Sequence, residues 1–143
     1  MSETGYPSFK ATVDKTNQVL KDIEKVYGWP TERRQQSYAG LRAVLHALRD
    51  RLPVAESADF AAQLPLLIRG LYYEGWSPSH VPVKMDRGAF LERVRREFGF
   101  EVGGSTEELV HTVLRTLRRF VTAGEWDDIA ASLPRDMATL LPS

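Results

Sequence analysis

The chain contains a segment of itself twice. Residues 43–73 and 112–142 align without a gap at a constant shift of 69 positions. The coinciding residues are Val44/Val113, Leu45/Leu114, Leu48/Leu117, Arg49/Arg118, Glu56/Glu125, Asp59/Asp128, Ala61/Ala130, Ala62/Ala131, Leu64/Leu133, Pro65/Pro134 and Leu71/Leu140. Such repeats constrain an architecture before any site is considered, because stacked copies bury a continuous core. The sequence therefore predicts a tandem duplication of one module.

Apolar spacing predicts an all-α fold. No sustained alternation of β-branched residues indicates a strand, and apolar residues recur at helical spacing. The second helix of each module carries such a stripe, which is expected to form the core: Leu41, Val44, Leu45, Leu48 and Leu52, then Val110, Val113, Leu114, Leu117 and Val121. Pro65 and Pro134 are each expected to begin a short fourth helix. We expect two three-to-four-helix modules packed as one compact, pseudo-twofold domain.

The predicted boundaries are an N-terminal tail at 1–15, a first module at 16–76, a linker at 77–86 and a second module at 87–143. The first helix is predicted from Thr16 to Tyr27, with Val19, Leu20, Ile23 and Val26 on its apolar stripe. The segment PLLIRGLYY at 65–73 is apolar nearly all round, so we expect it to lie centrally against the second module. Asp86, Ser105 and Thr122 are predicted N-caps.

Composition limits the function classes. The 19 basic and 19 acidic residues cancel, so no overall field attracts the chain to nucleic acid or an anionic membrane. The absence of cysteine excludes disulfides and thiolate sites. The N-terminal residues lack a secretory pattern, and no apolar run reaches about 18 residues. A soluble cytoplasmic protein without a membrane partner is expected.

Four segments carry a resemblance to a known family. They are the LRAVLHALRDRL run at 41–52, the QLP segment at 63–65, the YYEGW segment at 72–76, and Phe90-Leu91 with Arg93-Val94. Together they resemble the bacterial family called domain of unknown function 2267, over residues 16–142. The resemblance implies an all-helical, cytoplasmic bacterial domain with no established activity. An association with stress-response genes is a further implication of the resemblance.

The sequence offers no recognisable catalytic, metal or cofactor motif. His46, His80 and His111 form no pair at the spacing of metal ligands on a helix. No P-loop, dinucleotide-binding glycine motif or nucleophile elbow is present. We therefore predict no catalytic residue, no metal site and no cofactor.

Two carboxylate pairs have competing interpretations. Glu56 and Asp59 lie three residues apart, and Glu125 and Asp128 repeat the pattern, so each pair shares a helix face. Paired carboxylates perform acid–base chemistry when burial separates their pKa values. Because Arg49 and Arg118 recur with them, an ion pair within each module is the favoured interpretation. Arg49 is predicted to meet Glu56 or Asp59, and Arg118 to meet Glu125 or Asp128.

Two further sets of residues are candidate binding surfaces. Arg115, Arg118 and Arg119 can share a helix face and contact phosphates. Nearby glutamates and the neutral net charge favour a solvated face instead, so nucleic acid is not expected. The second set consists of Tyr72, Tyr73, Trp76, Lys84 and Arg87. Aromatic residues beside cations are typical of protein-binding hot spots. Packing of the rings between the two modules is the favoured alternative.

These observations predict a non-enzymatic helical binding or adaptor protein that binds a protein partner or itself. Nucleic-acid binding through the arginine-rich helix faces is the first alternative. An enzyme without a recognisable motif is the second.

Overall fold

Every regular element among the described residues is a helix. The computed structural model describes residues 5–142, and no strand occurs within that range. The α-helices are α1 Pro7–Tyr27, α2 Arg34–Arg51, α3 Val54–Ala62, α4 Leu66–Tyr73, α5 Arg87–Phe98, α6 Thr106–Thr116 and α7 Ala123–Ala131. Short 3₁₀ helices span Thr31–Arg33, Pro78–His80 and Arg135–Leu140. The predicted all-α class is confirmed.

The helix ends follow from local sequence chemistry. Asp86, Ser105 and Thr122 each accept a hydrogen bond from the backbone N–H three residues later, which confirms the predicted N-caps. Gly28 ends α1 with φ of 69°, a left-handed conformation that glycine adopts without a steric cost. The ring of Trp29 then stacks back on Tyr27, with 4.6 Å between ring centroids.

The core consists of the predicted apolar stripes. All ten residues of the stripes on the second helix of each module are buried, so this prediction is confirmed. Leu64 is buried as well, whereas Leu133 is only partly buried. Truncating a buried leucine to alanine typically costs about 2–5 kcal/mol. These stripes are therefore the main source of cohesion in the fold.

Helices of the two halves pack across one another. α5 packs most extensively on α2, while α1 contacts α2, α4 and α6. α3 contacts α7, and the bounds of α7 are those of α3 moved by 69 positions. The result is one compact body in which each half covers part of the core of the other.

Three sequence predictions need correction. α1 begins at Pro7 rather than Thr16, so residues 7–15 form helix rather than a tail; proline favours a first helical position. Val26 is 64% exposed because it lies off the buried face of α1. α4 does not pack on the second half but on α1, α2 and α3, because the early turns of α1 supply its neighbouring surface.

The predicted linker is bonded to α2. The backbone N–H of Val83 donates to the Asp50 carbonyl at 2.6 Å, and Arg51 Nε donates to the Met85 carbonyl at 2.8 Å. The Met85 side chain is buried. Within residues 5–142, no helix combines the length and apolar character required to cross a membrane.

Candidate functional site

An open apolar groove of about 1000 Å³ lies where α1, α2 and α4 meet. Its apolar lining is Phe9, Val13, Tyr38, Leu66, Leu67, Leu71 and Tyr73. Leu66 and Leu67 are 57% and 46% exposed, and Phe9 is exposed as well. A contiguous exposed apolar surface of this kind is typical of interaction sites. This groove is the first candidate functional site.

The polar groups around the groove are largely satisfied internally. Thr12 Oγ1 accepts from the Leu67 N–H at 2.8 Å, and Thr16 Oγ1 donates to the Thr12 carbonyl at 2.8 Å. At one end, the exposed carboxylate of Glu74 is 3.6 Å from Arg42 Nε. The groove therefore offers mainly apolar contacts, with the Glu74–Arg42 ion pair at its border.

Gly70 leaves part of the groove wall without a side chain. It is a helical residue of α4, and a Cβ added at this position meets no atom within 4 Å. The space above its backbone is open to a ligand. The first carbon of a larger side chain here would therefore enter open space at the groove.

A carboxylate cluster lies at the contact between α3 and α7. Glu56, Glu125 and Asp128 each place one carboxylate oxygen within 4.8 Å of the others. Glu125 is only 5% exposed, whereas Asp128 is exposed. Glu56 Oε2 and Glu125 Oε2 are both buried without a hydrogen-bond partner. The structure thus brings together two glutamates that lie 69 positions apart in the sequence.

Glu125 has no capping role, because the side chain of Gln63, just after α3, takes its place at the N-cap of α7. In a capping box, a glutamate at this position bonds back to the N-cap N–H. Here the Thr122 N–H donates to Gln63 Oε1 at 2.8 Å instead. The arrangement at the N-terminus of α6 is different. There Ser105 Oγ donates to Glu108 Oε1 at 3.2 Å, so Glu108 stays at its own cap. Gln63 therefore leaves the Glu125 carboxylate directed toward Glu56.

The environment of Glu125 favours its protonated form. Burial and the nearby carboxylates of Glu56, Asp59 and Asp128 raise the pKa of Glu125 to about 8. Two ionised carboxylates can only accept hydrogen bonds, so a bond between Glu56 and Glu125 would form only when one of them carries a proton. The cluster can hold a proton or a cation.

The predicted ion pairs of Arg49 and Arg118 with these carboxylates are wrong. Arg49 Nε binds Asp50 Oδ1 at 2.8 Å, and its Nη1 donates to the Glu74 carbonyl at 2.6 Å. Arg118 forms no ion pair with Glu125 or Asp128. The reason is the orientation of α3 and α7, whose acidic faces turn toward each other rather than toward the arginines.

Asp50 is the centre of a charge-matched network between α2 and α5. Arg93 Nη2 donates to Asp50 Oδ2 at 2.7 Å, and Arg93 Nε donates to Glu97 Oε2 at 2.5 Å. Burial alone would raise the pKa of Asp50, but the hydrogen bonds from Arg49 and Arg93 outweigh it and lower the pKa from its usual 3.8. This network is structural, because all its charges are paired within the fold.

The three arginines predicted to contact phosphate do not share a helix face. α6 ends at Thr116, and the backbone around Arg118 and Arg119 continues as tight turns. Arg119 pairs with Asp22 of α1, and Arg115 borders the same shallow cavity. Arg118 borders a different cavity. The prediction that these three arginines share one helix face is therefore wrong.

The structure places the residues of the predicted partner surface in different environments. Tyr72 is fully buried and its hydroxyl lies 2.9 Å from Ser57 Oγ, so it packs inside the first half. Tyr73 borders the groove and contacts the partly buried Trp76, with 5.1 Å between ring centroids. Lys84 is exposed, and Arg87 Nη1 donates to the Asp136 carbonyl at 2.6 Å. Of this set, Tyr73 lines the groove.

The sequence does contain a signal for the groove, and it lies in the segment predicted as an N-terminal tail. Phe9 and Val13 are four residues apart behind Pro7, which is the spacing of one helical face. A first helix that begins at Pro7 places this face beside the exposed apolar residues of α4.

A comparison with models of protein families identifies the family of the chain. The family model described as "Uncharacterized conserved protein (DUF2267)" matches residues 16–140. No curated protein matches the sequence significantly. The match covers the elements from the later turns of α1 to the C-terminal 3₁₀ helix, and it agrees with the resemblance found from the sequence segments. The chain belongs to the family of uncharacterized conserved proteins DUF2267.

Proposed function

We propose that this chain is a non-enzymatic binding or adaptor protein whose groove between α1 and α4 binds an amphipathic helix of a protein partner. The observation that carries the proposal is the exposure of Phe9, Leu66 and Leu67 along one continuous apolar groove. Helix-in-groove recognition buries such a surface against apolar residues spaced three or four positions apart.

The shape and charge of the groove favour a helix as the occupant. Its volume of about 1000 Å³ is at the upper end of the range for small-molecule pockets, which runs to about 1,000 Å³. Open backbone at Gly70 allows close approach of a partner helix. The exposed Glu74–Arg42 ion pair at its border offers both signs of charge to polar residues of that helix.

A selected peptide tests the proposal directly. A displayed library of amphipathic helical peptides is screened on the protein, and the affinity of the best binder is measured by fluorescence anisotropy. Gly70→Leu fills the groove and Leu67→Lys places a charge in it. Both should raise Kd at least about tenfold, which corresponds to about 1.4 kcal/mol.

Val83→Lys is the matched control, since Val83 is 39% exposed and lies outside the groove. Its Kd should equal that of the wild type. Equal affinity of all four proteins, with correct folding by circular dichroism, would refute the proposed site. A dimer in light scattering that Gly70→Leu abolishes would assign the groove to a second copy instead.

We also propose that the fold is a pseudo-twofold tandem duplication, with modules at 16–76 and 87–143. Support comes from the gap-free repeat and from the matching bounds of α3 and α7. A bacterial source, a cytoplasmic location and a link to stress remain expectations from the family resemblance.

Nucleic-acid binding remains the less favoured alternative. Arg115, Arg118 and Arg119 border two different cavities, and Arg119 is already paired with Asp22. Phosphate contacts release counterions, so genuine binding would weaken log-linearly as salt rises. We expect no submicromolar binding in anisotropy measurements at physiological salt.

A further inference from the structure

The carboxylate cluster between α3 and α7 lacks the countercharge that the rest of the fold supplies. Every other cluster described above pairs its acids with arginine, but the described residues place no lysine or arginine in an ion pair with Glu56, Asp59, Glu125 or Asp128. Burying a carboxylate without a partner is costly unless it is protonated, paired or bound to a metal.

We infer that Glu56, Glu125 and Asp128 bind a hard divalent cation that joins α3 to α7. Their three oxygens lie within 4.8 Å of one another. Three oxygens at equal spacing, each about 2.3–2.6 Å from one Ca²⁺ ion, are at most about 4.0–4.5 Å apart, so the cluster can hold Ca²⁺ after a shift of a few tenths of an ångström at most. Carboxylate ligands also suit Mg²⁺ and Mn²⁺, and exposed Asp128 leaves water access to complete the coordination.

A buried, unpartnered side chain distinguishes this cluster from ordinary surface acids. Glu125 is nine-tenths buried, and its Oε2 has no hydrogen-bond partner. Its expected partner, the Thr122 N–H, is occupied by Gln63. Gln63, the residue after the last turn of α3, therefore keeps a ligand of α7 available at the contact between these helices.

The cation would link the two halves at a point remote from the groove. The ligands come from α3 in the first half and α7 in the second, whereas the groove is lined by α1, α2 and α4. Binding to the folded state alone stabilises it in proportion to the logarithm of ligand concentration. The expected signature is a cation-dependent rise in the unfolding temperature.

Thermal unfolding of the full chain with chelator, CaCl₂, MgCl₂ or MnCl₂ tests the inference. A cation at about 100 times its Kd should raise the melting midpoint by about 8–10 °C. Glu125→Gln should abolish this rise. Glu108→Gln is the matched control, because Glu108 lies three residues after the N-cap of α6, as Glu125 does on α7, but stays at its own cap. It should retain the full rise.

Terbium provides a second measurement that does not depend on stability. Trp126 adjoins Glu125 in sequence and packs against Phe60 of α3, so its excitation should sensitise emission from Tb³⁺ in a calcium-like site. Ca²⁺ should quench the emission by competition, and Glu125→Gln should remove it. An equal thermal response of wild type and Glu125→Gln to every cation, together with unchanged terbium emission, would overturn the inference.

Discussion

Two polar clusters lie at contacts between opposite halves of the molecule, and they differ in whether basic residues balance their carboxylates. At the contact of α2 with α5, Asp50 receives hydrogen bonds from Arg49 and Arg93, so every buried charge is matched. At the contact of α3 with α7, Glu56 and Glu125 meet with no basic residue bound to either. The first cluster is complete within the chain, whereas the second requires a proton or an added cation.

The difference shows that conserved spacing within a repeat does not fix the partner of a charge. Arg49 and Arg118 lie 69 positions apart in the aligned segments, yet Arg49 binds Asp50 while Arg118 forms no ion pair with Glu125 or Asp128. The residue after Arg49 is Asp50, whereas the residue after Arg118 is Arg119. The second segment therefore lacks the acid that organises the first cluster.

The largest expected effect is at Asp50. Replacing it with alanine leaves Arg49 and Arg93 without their shared carboxylate, and breaking a buried ion pair typically costs about 3–5 kcal/mol. Urea unfolding should show a loss of this size in Asp50→Ala. A loss below about 1 kcal/mol would mean that the two arginines find other partners and that the network is dispensable.

The opposite sign is expected at Glu125. In chelator at pH of about 8, Glu125→Gln removes a buried charge from among three other carboxylates and should stabilise the fold by about 1–3 kcal/mol. Urea unfolding beside Glu108→Gln, whose change should be near zero, checks this. A destabilised Glu125→Gln would show that the ionised carboxylate is already satisfied, and the contrast with Asp50 would disappear.

The two clusters should also respond to pH in opposite directions. The pKa of Asp50 is lowered, so its contribution is present above the unfolded value of 3.8 and is lost as the pH falls through the folded pKa. The pKa of Glu125 is raised by burial and by Glu56, Asp59 and Asp128, so its contribution is present below 4.5 and is lost as the pH rises through about 8.

Urea midpoints of wild type and Glu125→Gln, measured in chelator across this range, separate the two contributions. The stability advantage of Glu125→Gln should grow between pH 4.5 and about 8. A constant difference over that interval would contradict the raised pKa of Glu125.

The smallest effect is expected at the exposed edge of the carboxylate cluster. Asp59 is exposed, so Asp59→Asn should relieve only screened repulsion and stabilise the fold by about 0–1 kcal/mol at low salt. The gain should vanish at about 1 M NaCl, where the Debye length is about 3 Å. Denaturation at both salt concentrations measures it, and a salt-independent gain would indicate a packing effect instead.

The helical class, the apolar stripes and several helix ends follow from the sequence because they depend on local periodicity and capping. Leu45, Leu48, Leu114 and Leu117 are buried as predicted, and Thr122 caps α7 as predicted. The direction of the acidic face of α3 could not be obtained in this way. It depends on how α3 and α7 cross, which no residue spacing within one helix encodes.

The groove illustrates the same limit for an apolar surface. Periodicity correctly indicated that α4 has apolar residues on most sides, and burial against the second half was the natural inference. The extension of α1 back to Pro7 places α4 at the edge of the fold instead, with Leu66 and Leu67 exposed. An apolar side chain alone does not distinguish a core position from a binding position.

The crossed packing of the halves has a consequence for proteolysis. A protease that cuts the segment at 77–86 would break the only covalent connection between α4 and α5, yet α5 would remain packed on α2 and α1 on α6. The two fragments should therefore stay together as a nicked complex and separate only in denaturant. Either fragment made alone would expose the apolar stripe that the other normally covers, so neither half is a self-sufficient folding unit.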